Sequence, residues 1–253
     1  MPPSRRPSGT STTSSRAPER LSWAQVEELV YLEHRQGQHI AAVGPTGSGK
    51  TVLLTSVVKT LGRRKAKDGR PARVTALGTK PRDASLEQLG WPIITKWPPG
   101  YGQEHVIVWP RSGDPETAPQ RQRAVFRPLL RRIYEEGHQT VYIDELAYFE
   151  EPQPEGLGLR QILGQYWYMA RASKLTLVAG TQRPRRVSRS MWSESDWLFV
   201  FRLEDGDDLR RLREIGAGAG DIREHVTALD EHEFLLIRRV GPGGELYISK
   251  VEA

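Results

Sequence analysis

Short apolar runs alternate with longer amphipathic segments along most of the chain. The apolar runs are Ile40–Val43, Val74–Leu77, Val106–Trp109, Val141–Ile143, Leu175–Ala179 and Trp197–Leu203. Helical spacing of apolar residues is found at Thr51–Leu61, Arg121–Tyr134, Leu157–Arg171 and Asp207–Ile215. Such alternation is typical of a mostly parallel sheet flanked by helices. The pattern therefore predicts an α/β fold.

The two ends of the chain depart from this alternation. Residues 1–20 consist mainly of Ser, Thr, Pro and Arg, so we expect a disordered basic tail followed by one domain at 21–253. Ser22 is placed to cap a helix that begins at Trp23. Near the C-terminus, two apolar segments flank the run Gly241–Gly244, which predicts a β-hairpin. Pro128 is expected to break the helix in which it lies.

A glycine-rich segment follows the first of these apolar runs and precedes a helical pattern. It consists of Gly44, Pro45, Thr46, Gly47, Ser48, Gly49, Lys50 and Thr51. This is a complete G-x-x-x-x-G-K-[ST] phosphate-binding loop in the strand–loop–helix setting that it needs. Free backbone N–H groups at the helix N-terminus attract phosphate oxygens. We therefore expect ATP binding, with Lys50 at the β- and γ-phosphates and the Thr51 hydroxyl on Mg²⁺.

Two adjacent carboxylates end the apolar run Val141–Ile143. Asp144 is expected to hold Mg²⁺ and Glu145 to polarise the water that attacks the γ-phosphate. Two acids are needed because metal binding and water activation take place at different points in space. The next apolar run ends in Gly180-Thr181-Gln182-Arg183-Pro184, and Gln182 could contact both the attacking water and the γ-phosphate.

Together, these segments resemble the FtsK–HerA superfamily of DNA-pumping ATPases. The resemblance is carried by Gly44–Thr51, Ile143–Glu145 and the Thr-Gln-Arg-Pro segment at 181–184, and it extends over about residues 36 to 251. Where the family usually has a Gly-Arg pair before the Thr-Gln-Arg-Pro strand, this chain has Ala170-Arg171. The arginine matches the family pattern and the glycine does not.

The resemblance implies a RecA-like P-loop NTPase core and a homo-oligomeric ring, usually hexameric. It also implies ATP-driven movement of double-stranded DNA and an additional strand between those of the phosphate loop and the Asp-Glu pair. Arg171 is the best candidate for an arginine that stabilises γ-phosphate charge in the transition state, with Arg183, Arg185 and Arg186 as alternates.

Composition changes this picture only slightly. The 253 residues carry a formal net charge of +6, which suggests an anionic partner, and they include no cysteine. Basic residues cluster at 183–189, directly after Gln182, and at 63–70. The segment Lys80-Pro81-Arg82-Asp83 is expected to face the ring pore or a neighbour. The histidines lack the spacing of a protein-built metal site. Because no apolar stretch approaches the roughly 18 residues that a membrane span requires, we expect no membrane insertion and a cytoplasmic location.

Two other functions fit the same motifs. An ATPase that drives protein assembly or secretion would share the whole nucleotide site. A small-molecule kinase would use the arginines at 183–189 as a lid over its substrate. Glu145 argues against the kinase, because a kinase must avoid activating water.

Overall fold

The computed structural model describes residues 17–65, 69, 71–100, 102–111, 114–213, 222–239 and 244–252. The strands are β1 (Glu19–Arg20), β2 (His39–Val43), β3 (Arg73–Leu77), β4 (Ile93–Ile94), β5 (His105–Val108), β6 (Gln139–Ile143), β7 (Thr176–Thr181), β8 (Ser195–Phe201), β9 (Glu233–Arg238) and β10 (Glu245–Lys250). The α-helices are α1 (Trp23–Glu33), α2 (Lys50–Gly62), α3 (Ala84–Glu87), α4 (Ala118–Glu136), α5 (Leu146–Glu150), α6 (Arg160–Met169), α7 (Arg189–Glu194), α8 (Gly206–Arg213) and α9 (Ile222–Thr227), and a 3₁₀ helix covers Pro184–Arg186.

These strands form one sheet in the order β1-β10-β9-β8-β2-β7-β6-β3-β5-β4. The strands from β8 to β4 in this order are parallel to their neighbours, whereas β9 is antiparallel to both β8 and β10. The mostly parallel α/β sheet and the terminal antiparallel pair β9–β10 are thus confirmed. The predicted turn of that hairpin at 241–243 lies outside the described residues.

Strand β7 lies between β2 and β6 and pairs with both. Ala42 is opposite Gly180 on one side, and Ile143 is opposite Ala179 on the other. This is the additional strand that the family resemblance implied. As a result, the strand that Gln182 follows separates the strand before the phosphate loop from the strand before Asp144.

Helices cover both faces of the sheet, so its central strands are buried on both faces. All residues of β2, β6 and β7 are buried. One face packs against α4 and α6 around Phe126, Leu163 and Trp167, and the other packs against α1 and α2. Burial on two faces explains why these strands are continuous apolar runs in the sequence and do not alternate with polar residues.

Pro128 does not break helix α4, contrary to the sequence prediction. The helix runs unbroken from Ala118 to Glu136 with Pro128 inside it. A proline inside a helix costs about 3 kcal/mol, because it removes one hydrogen bond and crowds the preceding turn. The apolar face around it offsets this cost, since Phe126, Leu130 and Ile133 are fully buried.

The boundary predicted for the N-terminal tail also needs correction. Residues 1–16 lie outside the described part of the chain, but Glu19–Arg20 form β1 and pair with β10 in parallel. The Leu21 amide donates to the Ile248 carbonyl at 2.9 Å, and Arg20 forms a 2.7 Å ion pair with Glu233. The ordered domain therefore includes residues before 21. Within the described residues, no helix is both long and apolar enough to cross a membrane.

Candidate nucleotide-binding site

The phosphate loop connects the end of β2 to the start of α2 through a backbone that requires glycine. Gly47 and Gly49 have φ of +81° and +94°, in the left-handed region that side chains disfavour. A Cβ at Gly44 would lie 2.7 Å from the Cβ of Phe201 and 2.8 Å from the Ser48 hydroxyl. The loop ends at the first turn of α2. Backbone N–H groups there lack partners within the helix.

Ser48 supports the interpretation of this loop as an anion site. Its hydroxyl oxygen is buried and has no hydrogen-bond partner among the described residues. A buried polar atom without a partner is costly in a folded protein. A phosphate oxygen bound in the loop would supply one.

Lys50 and Thr51, at the start of α2, face the carboxylates that follow β6. The Thr51 hydroxyl donates to Asp144 Oδ1 at 2.9 Å. Lys50 is only 4% exposed. Burial lowers the pKa of Lys50, and the charges of Asp144 and Glu145 oppose that shift without cancelling it. The phosphate loop and the Asp-Glu pair are thus in direct contact, as the sequence predicted.

Asp144 is buried and surrounded by donors. The Tyr142 hydroxyl donates to its Oδ1 at 3.2 Å, and the Lys80 ammonium lies 2.6 Å from its Oδ2. Burial alone would raise the pKa of Asp144, but the ammonium groups of Lys80 and Lys50 outweigh it and hold that pKa below its usual range. Asp144 is therefore an ionised carboxylate beside a hydroxyl.

The oxygen donors of Thr51 and Asp144 suit Mg²⁺. This ion prefers hard oxygen ligands and keeps several waters, so it is usually held by one or two protein groups together with substrate phosphates. In the described residues there is no group of three or more His, Asp or Glu side chains that could hold a metal by themselves. The two protein donors fit a metal that arrives with a nucleotide.

Glu145 is held against the end of β7. Its Oε1 accepts from the Thr181 hydroxyl at 2.9 Å and from the Ala147 amide at 3.3 Å, which caps α5. Its Oε2 accepts from the Gln182 amide at 3.0 Å. Because three donors orient this carboxylate, its position is fixed before any substrate arrives.

Gln182 contacts both the phosphate loop and the Asp-Glu pair. Its side-chain Oε1 accepts from the Thr46 hydroxyl in the phosphate loop at 2.7 Å, and its backbone amide contacts Glu145. A Cβ at Gly180 would lie 2.5 Å from the Asp144 carbonyl oxygen. The glycine therefore permits the close approach of β7 to β6 that brings Gln182 into the site.

Arg171 is not part of this cluster. It precedes β7 and forms a 2.7 Å ion pair with Asp196 at the start of β8. The other oxygen of Asp196 accepts from the amide of His39, the first residue of β2. The phosphate loop follows the last residue of β2, so Arg171 lies at the opposite edge of the sheet. This position places Arg171 away from the phosphate loop of its own chain.

Two of the three alternate arginines that follow Gln182 have carboxylate partners. Arg185 pairs with Asp207, and Arg186 pairs with Glu151 at 2.6 Å. Arg183 is exposed immediately after Gln182. Of the second basic cluster, Lys67 and Arg70 lie outside the described residues, and Arg64 donates to the carbonyl and ring nitrogen of His34.

Sequence reasoning misplaced Lys80, which it assigned to a pore or a neighbour. The Lys80 ammonium contacts Asp144 and lies 3.2 Å from Asp83 Oδ2 in the same chain. The relevant signal was its position just after a parallel strand, since the carboxyl ends of parallel strands share one edge of the sheet. The local sequence does not indicate that β3 pairs with β6.

Several solved ATPases share this fold. The genome packaging NTPase B204 from Sulfolobus turreted icosahedral virus 2, in complex with sulfate, matches with a TM-score of 0.59 and 15% identity, over 87% of this chain and 100% of that chain. The same NTPase in complex with AMPPCP matches with a TM-score of 0.58 and 16% identity, over 85% of this chain and 100% of that chain. The cytoplasmic domain of the Type VII secretion ATPase EccC from Thermomonospora curvata matches with a TM-score of 0.53 and 14% identity, over 86% of this chain and 25% of that chain.

The chain has the P-loop NTPase fold of these ATPases. Some of these structures contain ATP analogues, and the P-loop NTPase fold that the sequence predicted is confirmed. At this level of identity the likeness concerns the fold. No known protein-family model matches the chain, and no curated protein matches its sequence.

Proposed function

We propose that this protein is a P-loop ATPase of the FtsK–HerA type that assembles into a ring and uses ATP hydrolysis to move double-stranded DNA. The observation that carries the ATPase part is the convergence of Lys50, Asp144, Glu145 and Gln182 at one edge of the sheet. The DNA part is supported by the fold shared with B204, which is a DNA-packaging ATPase, and by the basic residues that follow Gln182.

Each residue of the site has a defined task in hydrolysis. Lys50 and the backbone N–H groups of the loop bind the phosphates, while Thr51 and Asp144 would hold Mg²⁺, which would neutralise developing charge on them. Glu145 orients a water and accepts its proton as the water oxygen attacks the γ-phosphorus. The bond from that phosphorus to the bridging oxygen breaks, and ADP leaves with the bonding electrons.

The 3₁₀ helix Pro184–Arg186 connects this chemistry to DNA. It begins two residues after Gln182, so a change at the γ-phosphate would be passed to Arg185 and Arg186. Their side chains are 56% and 51% exposed despite their carboxylate partners. Exposed ion pairs contribute little to stability, so DNA phosphates can replace Asp207 and Glu151 as partners at low cost.

The test is DNA-stimulated ATP hydrolysis measured over a range of salt concentrations. Duplex DNA of any sequence should stimulate the rate, because contacts with phosphates carry no base information. The apparent affinity should fall as a power of salt concentration, since bound Lys and Arg release counterions. Lys50→Ala should abolish tight ATP binding and turnover, which sets the background of the assay.

A double replacement locates the DNA contacts. Arg185→Ala with Arg186→Ala should lower the salt slope by about 2, since each arginine that no longer binds a phosphate removes roughly one from the slope. The DNA-free rate should be spared. The matched control is Arg73→Ala with Arg132→Ala, which removes two arginines that pair with Glu136 at the opposite edge of the sheet. This control should leave the slope unchanged.

A protein-assembly or secretion ATPase is the second candidate, because the fold is also that of EccC. Hydrolysis by assembled rings that ignores DNA from low salt to about 0.2 M would favour it over the DNA motor. Phosphate transfer to an acceptor other than water would instead indicate a kinase.

A further inference from the structure

Lys80 is a lysine that the fold places at the metal-ligating carboxylate. Its ammonium lies 2.6 Å from Asp144 Oδ2 and 3.2 Å from Asp83 Oδ2. Both carboxylates are buried, with side-chain exposures of 8% and 7%. The ammonium therefore neutralises charge that would otherwise be left in a poorly solvated position.

The backbone at Lys80 is fixed by buried groups. The indole nitrogen of the buried Trp109 donates to the Lys80 carbonyl at 2.8 Å, and Gln122 donates to the Thr79 carbonyl at 2.6 Å. A Cβ at Gly78 would lie 2.7 Å from the Trp109 ring. The backbone therefore packs directly against this ring where the chain leaves β3. Lys80 is thus directed into the site by the fold, unlike a mobile surface lysine.

The other carboxylate oxygen of Asp144, Oδ1, already has hydrogen-bond donors. It accepts from Thr51 and Tyr142, so Lys80 and these two hydroxyls together surround the carboxylate. The ammonium lies within ion-pair distance of both Asp144 and Asp83. A monovalent cation therefore lies where the proposed function requires a divalent one to be held.

We propose that Lys80 is a resident counter-ion of Asp144: it neutralises this carboxylate when no metal is bound, and it competes with Mg²⁺ for it. This inference rests on the proposed ATP site. Without metal, Lys80 shields incoming phosphates from the negative charge of Asp144. The same ammonium would repel an incoming Mg²⁺, so Lys80 would have to leave the carboxylate for Asp144 to hold the divalent cation.

Removing this charge should thus have opposite effects on two binding measurements. AMPPCP binding is measured by calorimetry in EDTA and again across a MgCl₂ titration. In Lys80→Met, binding in EDTA should weaken, because Asp144 then faces the phosphates without a counter-ion. The MgCl₂ concentration for half-maximal binding should fall, and each change should be on the order of tenfold for a unit charge a few ångströms away.

Three further variants make the test specific. Lys80→Arg keeps the charge and should stay close to wild type in both measurements. Arg82→Met removes the same charge from an exposed position two residues away and should change neither by more than about twofold, because exposed charges are screened by solvent and salt. Lys80→Gln repeats the neutralisation with a polar side chain. Thermal unfolding without ligand confirms that each variant folds, which the 43% exposure of the Lys80 side chain favours.

The outcomes separate this inference from the proposed function. If the wild-type protein binds AMPPCP but Lys80→Met shifts both measurements in the same direction, or neither, Lys80 has no role as a competing counter-ion. If the wild-type protein binds no AMPPCP with or without MgCl₂, the nucleotide site itself is wrong and this inference fails with it.

Discussion

The Gln182 amide donates to Glu145 Oε2 at 3.0 Å, which joins the tip of β7 to the carboxylate that follows β6. The same glutamine accepts from Thr46 through its side chain. A single residue therefore contacts the phosphate loop and the residue assigned to water activation. Movement of the phosphate loop on nucleotide binding would therefore change the positions of Glu145 and of the arginines that follow Gln182.

Glu145→Gln should trap the bound triphosphate. The amide keeps the shape of the side chain, and its one oxygen can still accept from either the Thr181 hydroxyl or the Gln182 amide, but the side chain cannot accept a proton from water. Hydrolysis should fall by roughly 10²-fold or more, as expected when a positioned general base is lost, while ATP affinity is retained. Single-turnover hydrolysis and equilibrium binding measure the two effects.

Asp144→Asn is the contrasting variant. It should weaken Mg²⁺-dependent binding, because Asp144 is assigned to the metal. If Glu145→Gln lost binding and Asp144→Asn kept it, the division of tasks between the two acids would be reversed.

Gly180→Ala should destabilise the protein and disturb the metal site. The added Cβ would lie 2.5 Å from the Asp144 carbonyl and 2.9 Å from Leu54 Cδ1. Such overpacking typically costs about 1–3 kcal/mol. Urea unfolding measures the loss in free energy of unfolding, and Mg²⁺-dependent AMPPCP binding should weaken as Asp144 is displaced.

Gly164→Ala is the matched control for this substitution. Gly164 lies inside α6, and an added Cβ there meets nothing within 4 Å. Alanine is favoured over glycine in helices by about 0.5–1 kcal/mol, so this variant should be as stable as wild type or more so. Equal losses in both variants would contradict a specific contact between β7 and Asp144.

The fold and the phosphate site could be predicted because both depend on local patterns. Apolar runs buried on two faces marked the strands, and the motifs of Lys50, Asp144 and Gln182 follow directly on strands that end at one edge of the sheet. Parallel pairing then brings them together without any information on distant contacts.

Other positions could not be read from local patterns, because they depend on the order and direction of the strands. Lys80 meets Asp144 only because β3 is the neighbour of β6, which no local pattern states. Arg171 precedes β7, and the start of a parallel strand lies at the edge opposite to its end, so its distance from the phosphate loop follows from chain direction. Pro128 was expected to break its helix because proline disrupts helix interiors. The helix continues because the apolar face around Pro128 is buried.

His34 should make the protein sensitive to acid. Burial, together with the Arg64 charge, lowers its pKa from 6.5 to about 4, against a hydrogen bond to the Gln38 carbonyl that favours protonation. The unfolded chain therefore takes up a proton that the folded state does not. The resulting stability is complete above pH 6.5 and is lost as the pH falls from 6.5 towards 4.

The size of this effect can be measured on His34→Gln. One histidine with this shift should account for about 2 kcal/mol of the stability lost between pH 7 and pH 5. His39, also buried with its pKa lowered to about 4, should account for a similar further loss. Urea unfolding of His34→Gln at both pH values should show a smaller loss than wild type, whatever its stability at pH 7. An unchanged loss would mean that His34 is protonated in the folded state.

Arg171 should act only on the phosphate site of a neighbouring subunit, if it acts in hydrolysis at all. Its ion pair with Asp196 places it at the start of β8, across the sheet from the phosphate loop of its own chain. Subunits with Arg171→Ala keep an intact loop, and subunits with Lys50→Ala keep an intact arginine. Each variant alone should be inactive, whereas mixed rings should recover part of the turnover wherever an intact loop meets an intact arginine.

Asp196→Asn distinguishes catalysis from packing in this experiment. It removes the charge partner of Arg171 but keeps an acceptor for the His39 amide, so hydrolysis should persist if the guanidinium itself serves the neighbour. The rate of ATP hydrolysis is followed as the two variants are mixed, with mixed rings verified by native mass. Mixed rings that recover no turnover would remove Arg171 from the catalytic residues, since its own chain holds it too far from the phosphates to act there.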